Sequence, residues 1–75
     1  VEMLVPIEGE YQRAYDNVNR KNIEKHGYSP MTPRMMGAWW REETGLKLVY
    51  DDMHQVLCID FDDYQDATLF LLKYA

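Results

Sequence analysis

The chain has 75 residues, of which 47% are hydrophobic and 13% aromatic, with a net charge of −5. That length specifies one domain near the lower limit for unassisted folding, with enough apolar material for a core but not for a deep substrate cleft as well. The composition excludes a disordered chain, and the acidic balance disfavours phosphate-rich partners. The longest apolar run near the C-terminus, Leu69 to Leu72, is too short to span a bilayer, so no membrane association is expected.

EMLVPI reads as a short strand closed by Pro6 and an acidic glycine turn. GEYQRAYDNVNRKNIEKHG then reads as a helix, because Tyr11, Ala14, Tyr15 and Val18 recur at helical spacing and form one narrow apolar stripe. Lys25 and His26 suit the negative end of its dipole, and Gly27 is a natural terminator. The next helix is predicted from Pro33 to Thr44, with Thr32 as N-cap, Pro33 at the first helical position and Gly45 ending it. LKLVY and QVLCIDF follow as two strands joined by DDMH, an antiparallel hairpin. Leu57, Ile59 and Phe61 share one face and Val56 and Cys58 the other. Neither face is strongly polar, so both are expected to be at least partly covered. His54 in the connecting loop is expected to face solvent.

The four aspartates of IDFDDYQD raise the question of a metal. Their spacing does not fit an EF-hand, because Tyr64, Gln65 and Leu71 fall where an oxygen ligand, a glycine and a glutamate are required. DDYQD also spells the magnesium string of terpene cyclases, whose large helical cavity this short chain cannot supply. No metal or cofactor is expected. Asp62 as N-cap with Gln65 three residues on makes a capping-box pair instead, with Asp63 and Asp66 in the first turn where negative charge meets the helix dipole.

The end of that segment is ambiguous. Tyr64, Ala67, Phe70, Leu71 and Tyr74 follow helical spacing, whereas Phe70, Leu72 and Tyr74 would share one side of a strand. A final strand would give β-α-α-β-β-α-β, which resembles the split βαβ of ferredoxin-like folds once the second helix is set aside. FDDYQDATLFLLKY also resembles the endings of small uncharacterised tailed-phage proteins. That resemblance covers about fourteen residues, implies a phage origin, carries no activity, and favours the strand. The fold class is therefore α+β, a small antiparallel sheet packed against two to three helices.

Charge is unevenly placed: residues 1–34 hold five acids and five bases, so the whole net of −5 lies in residues 35–75. An acidic half of this kind favours a basic protein partner. Within MMGAWWREE, Ala38, Met35, Trp39, Met36 and Trp40 spread over about 200° of helix surface, wider than one core-facing stripe. Met35, Met36 and Trp39 can face the core, leaving Trp40 or Ala38 at an edge. An edge Trp beside flexible Met makes a binding surface, so Met36, Trp39, Trp40 and Glu43 are the candidate partner-binding residues. Arg41 or Lys47 is expected to neutralise Glu42 and Glu43.

The alternative site is the basic face of the first helix, where Arg13, Arg20, Lys21 and Lys25 could contact phosphates, although no aromatic side chains interleave there for base stacking. No catalytic motif is present: there is one Ser, one Cys and two His, with no nucleophile elbow, zinc-protease motif or P-loop. Cys58, the lone cysteine, allows no internal disulfide and reads as a buried thiol. With no basic-then-apolar leader, it points to a cytoplasmic setting, the host cytoplasm for a phage-encoded chain. The missing initiator Met suggests trimming, with Met3 as a candidate start. The expectation is a non-enzymatic protein-binding module, with nucleic-acid binding or a homo-oligomeric (homodimer) structural role as alternatives.

Overall fold

The computed structural model describes residues 3–75, so the predicted strand start at Glu2 lies outside the described residues. The elements follow as β1 (Met3–Pro6), α1 (Glu10–His26), α2 (Pro33–Thr44), β2 (Lys47–Asp51), β3 (Val56–Phe61) and α3 (Tyr64–Tyr74). The α+β class holds, with a three-stranded antiparallel sheet in the order β1-β3-β2. β3 is central: Ile59 pairs with Val5 on one side and Leu48 on the other.

The helix ends obey local chemistry. Thr32 accepts a hydrogen bond from the Met35 amide at 3.1 Å, and Pro33 occupies the first turn, where no intrahelical donor is needed. α1 and α2 end at Gly27 (φ 82°) and Gly45 (φ 75°), left-handed positions that cost glycine no steric strain. α3 starts one residue later than predicted: Asp63, not Asp62, is the N-cap and accepts from the Asp66 amide at 2.9 Å. The reason lies upstream, because Phe61 is still paired with Met3 and Asp62 is spent leaving the sheet.

The last segment is a helix to Tyr74, not a strand. No fourth strand forms among the described residues, which removes the ferredoxin-like alternative. Helical spacing puts Ala67, Phe70, Leu71 and Tyr74 together against the core, whereas alternation would have divided them between two sides. The helix is also tied at its end, where the Asn17 side-chain amide of α1 donates to the Tyr74 carbonyl at 2.6 Å.

All three helices contribute to a single core, with Ala14 and Val18 from α1, Trp40 from α2, Ala67 and Phe70 from α3, and Ile59 and Phe61 from β3. Successive strand residues point to opposite faces, so Met3, Val5, Leu48, Ile59 and Phe61 form the face under the helices. Leu4, Pro6, Val49, Val56 and Cys58 form the other. No described helix packs on that second face, yet it is partly covered as expected: Cys58 is 2% exposed, and Pro6, Val49 and Val56 are half-buried. The physical reason for the missing helix is that a chain with all its helices on one side of a small sheet has none left for the other.

Candidate functional site

The sequence leaves Trp40 or Ala38 at an edge of α2, and the structure decides between them. Trp40 is completely buried at the centre of the core, against Tyr15 and Phe70. Its indole N–H donates to the Asn19 side-chain oxygen of α1 at 2.7 Å, which satisfies the one polar atom the ring brings inside. Trp40 is therefore a core residue and not a contact surface; Ala38, the alternative edge position, is the one exposed.

Trp39 is 8% exposed and sits apart from the core cluster. The His26 ring stacks on it at 3.9 Å with an interplanar angle of 3°, and Tyr28 meets it edge-on at 5.4 Å. The end of α1 and the loop after it thus cover the second indole. An aromatic cage for a cationic ligand needs open ring faces. Here one face is already taken by His26.

The two charged surfaces weighed as rival sites meet each other. Lys21 pairs with Glu43 at 3.3 Å and Lys25 with Glu42 at 3.4 Å, bridging α1 to α2. These pairs, rather than Arg41 or Lys47, offset the carboxylates that oppose the α2 dipole. Glu43 is thereby withdrawn from an acidic rim, and two of the four cations of the basic face are engaged. Arg20 donates to the Asn17 side-chain oxygen at 2.7 Å, the same amide whose nitrogen caps α3. Arg13 is exposed on the outer side of α1.

Met36 remains where a contact could form. It is half-buried, accepts a weak hydrogen bond from the Tyr15 hydroxyl at 3.7 Å, and lines a groove of about 620 Å³. The other walls are Pro30, Met31 and Pro33 before and at the start of α2, and Tyr50 and Leu57 from the hairpin, with Thr32 the polar exception. Met31 is 78% exposed and Tyr50 56%. The groove lies between the start of α2, which brings Pro33 and Met36, and the hairpin end of the sheet's inner face, where Tyr50 pairs with Leu57. Sequence reading found Met36 but missed its neighbours. Met31 lay in a turn between two prolines, and Tyr50 was counted only as a strand residue.

The bare sheet face carries a second, smaller groove lined by Leu4, Pro6, Glu8, Asp51, His54, Val56 and Cys58. At its rim the Asp51 carboxylate accepts from the Met53 amide at 3.1 Å and lies 2.7 Å from the His54 ring nitrogen. The hydrogen bond from His54 is the main cause holding the Asp51 carboxyl below its ordinary range. Cys58 lies at the base, 2% exposed; burial first, and then the charge of Asp51, push its thiol up and make it a poor nucleophile. His54 faces solvent as expected. No group of three metal-ligating side chains is gathered among the described residues; of the four aspartates near α3, Asp63 caps the helix and Asp66 lies in its first turn. No described helix is long and apolar enough to cross a membrane.

No protein-family model, no curated protein and no solved structure matches the chain.

Proposed function

We propose that the chain is a small non-enzymatic protein-binding module, of the kind a phage encodes to inhibit or adapt a host protein. The observation that carries this reading is the groove of Met31, Met36, Tyr50 and Leu57 between prolines. The prolines restrict the backbone of one wall, Tyr50 supplies a large and stiff contact, and the methionines adapt to the shape of an inserted side chain. The occupant is an apolar or aromatic side chain from a short segment of the partner. Asp51 and Asp52 directly follow Tyr50, so basic flanking residues on that segment suit the hairpin end. The phage element of the proposal rests on the resemblance of residues 61–74 alone.

The test is affinity capture of the tagged chain from host lysate, with and without nuclease, in parallel with Met31→Asp. Met31 is outside the core, so the variant keeps the fold while placing a charge in the groove. The expected result is one stoichiometric protein that survives nuclease and is lost with Met31→Asp. Material that disappears with nuclease would instead assign the binding to Arg13 and Arg20, and capture insensitive to Met31→Asp would reject the groove.

A further inference from the structure

We propose that β2 is a self-recognition edge, and that two copies of the chain pair β2 to β2, antiparallel, to form one six-stranded sheet. The proposal does not rest on the groove reading above, although both use Tyr50, so a second copy and a groove ligand would compete for that side chain.

The first observation is a free edge. β2 is hydrogen-bonded to β3 alone, and no described backbone group bonds to its far side. Edge strands in monomers are commonly blunted by a proline, a bulge or an inward-pointing charge. β2 has no proline, and its register with β3 is continuous from Lys47 to Asp51. It therefore presents a regular template for another strand.

The second observation is what the strand spells. KLVYD is complementary to itself when reversed. A two-fold axis perpendicular to the sheet keeps outer-face residues opposite outer-face residues, so only registers centred on a residue are allowed. Centred on Val49, Lys47 of one copy faces Asp51 of the other, Leu48 faces Tyr50, and Val49 faces itself. The symmetry makes the Lys–Asp pair and the Leu–Tyr pair twice. Centring on Leu48 or Tyr50 shortens the overlap and sets a charge against Val49. One register thus satisfies all five residues.

The side chains are in a condition to be used. Lys47 is exposed and makes no ion pair among the described residues. Asp51 is fixed at the hairpin end by the Met53 and His54 amides and already pairs with the His54 ring at 2.7 Å, yet 26% of its side chain still faces solvent, where a second cation can reach it. Tyr50 is a 56% exposed aromatic on an edge, and the facing Leu48 would cover it. A lone edge lysine ordinarily prevents pairing by being carried into a second sheet without a partner. Here it stands two residues from the axis and meets an opposite charge, so the same residue favours this register and disfavours others.

The test is light scattering after size exclusion across micromolar to millimolar chain, with Lys47→Glu and Val49→Lys as variants. Both positions lie on the sheet face away from the core, and circular dichroism confirms their folding. The wild type is expected at twice the 9.0 kDa chain mass. Lys47→Glu sets two carboxylate pairs face to face and should raise the dimer dissociation constant by about tenfold or more. Val49→Lys sets lysine against lysine on the axis and should leave a folded monomer. If Val49→Lys fails to fold, Lys47→Glu at its exposed position still decides. A wild type that stays monomeric throughout the range, or a dimer indifferent to Lys47→Glu, would overturn the proposal. Met31→Asp should leave the dimer intact, which separates a failure here from a failure of the groove.

Discussion

The two faces of the sheet are built from strands of nearly equal apolarity, yet they end in opposite conditions. On one, Ile59 and Phe61 are fully buried beneath Trp40, Phe70 and the α1 stripe. On the other, Leu4 is 40% exposed, and only Cys58 is hidden, between Pro6 and Val49 on the neighbouring strands. The difference shows that burial in this small domain is set by which side the helices occupy and not by strand composition.

The strongest way to break that comparison is to remove the covered face's anchor. Trp40→Ala should cost about 3–5 kcal/mol, against a total stability of roughly 4–11 kcal/mol for a domain of this size, and urea denaturation should show a large loss or a chain that does not fold. A folded, near-wild-type Trp40→Ala protein would return Trp40 to the surface. Ile59→Ala against Val56→Ala compares the faces directly: about 2–5 kcal/mol for the first and under about 1 kcal/mol for the second. Equal costs would mean that the second face is covered in solution. Asp63→Ala should lower stability by about 1 kcal/mol through loss of the α3 cap, with Asp62→Ala well below that. In thiol-reagent kinetics at neutral pH, Cys58 should react slowly in the native protein and fast in denaturant, because the folded chain buries it and burial disfavours its thiolate.

The smallest effect is expected at the rim of the bare face. Asp51 has a lowered pKa in the folded chain, so its contribution to stability is present above the ordinary carboxylate range near pH ~4 and is lost as pH falls through the lowered value. Wild type and Asp51→Asn should therefore differ slightly at neutral pH and converge in acid, as read from denaturation midpoints across pH. A gap that persists below both values would assign the effect to the turn geometry and not to the charge.

The local grammar of the helices was legible before the structure. Thr32, Pro33, Gly27 and Gly45 mark their ends with chemistry that needs no tertiary information, and the α1 stripe announces its buried face. The orientation of α2 was not legible, because an apolar arc of about 200° can be rotated either way onto a core. What decides it is Asn19, an acceptor for the Trp40 indole on a different helix, and the His26 ring that covers Trp39. Lys21 and Glu43 looked like members of two rival sites for the same reason: their pairing depends on how α1 and α2 pack. The last helix was ambiguous because Phe70 and Tyr74 fit either periodicity. The candidate groove was hardest to see, since its walls come from a turn, a helix start and a hairpin.

The placement of β1 bears on how the chain is made as well as on how it stands. Its Leu4 pairs with Asp60 and its Pro6 lies opposite Cys58, so β1 has no partner until β3, some fifty residues further along, has been synthesised. The hairpin of β2 and β3 closes over a four-residue turn and can form as soon as it emerges. Docking of β1 is accordingly the late event, and in pulsed hydrogen exchange during refolding its amides should gain protection after those of the hairpin. For the seconds that translation takes, an apolar strand waits unpaired, and short length with a terminal proline is a sound protection against pairing with the wrong neighbour.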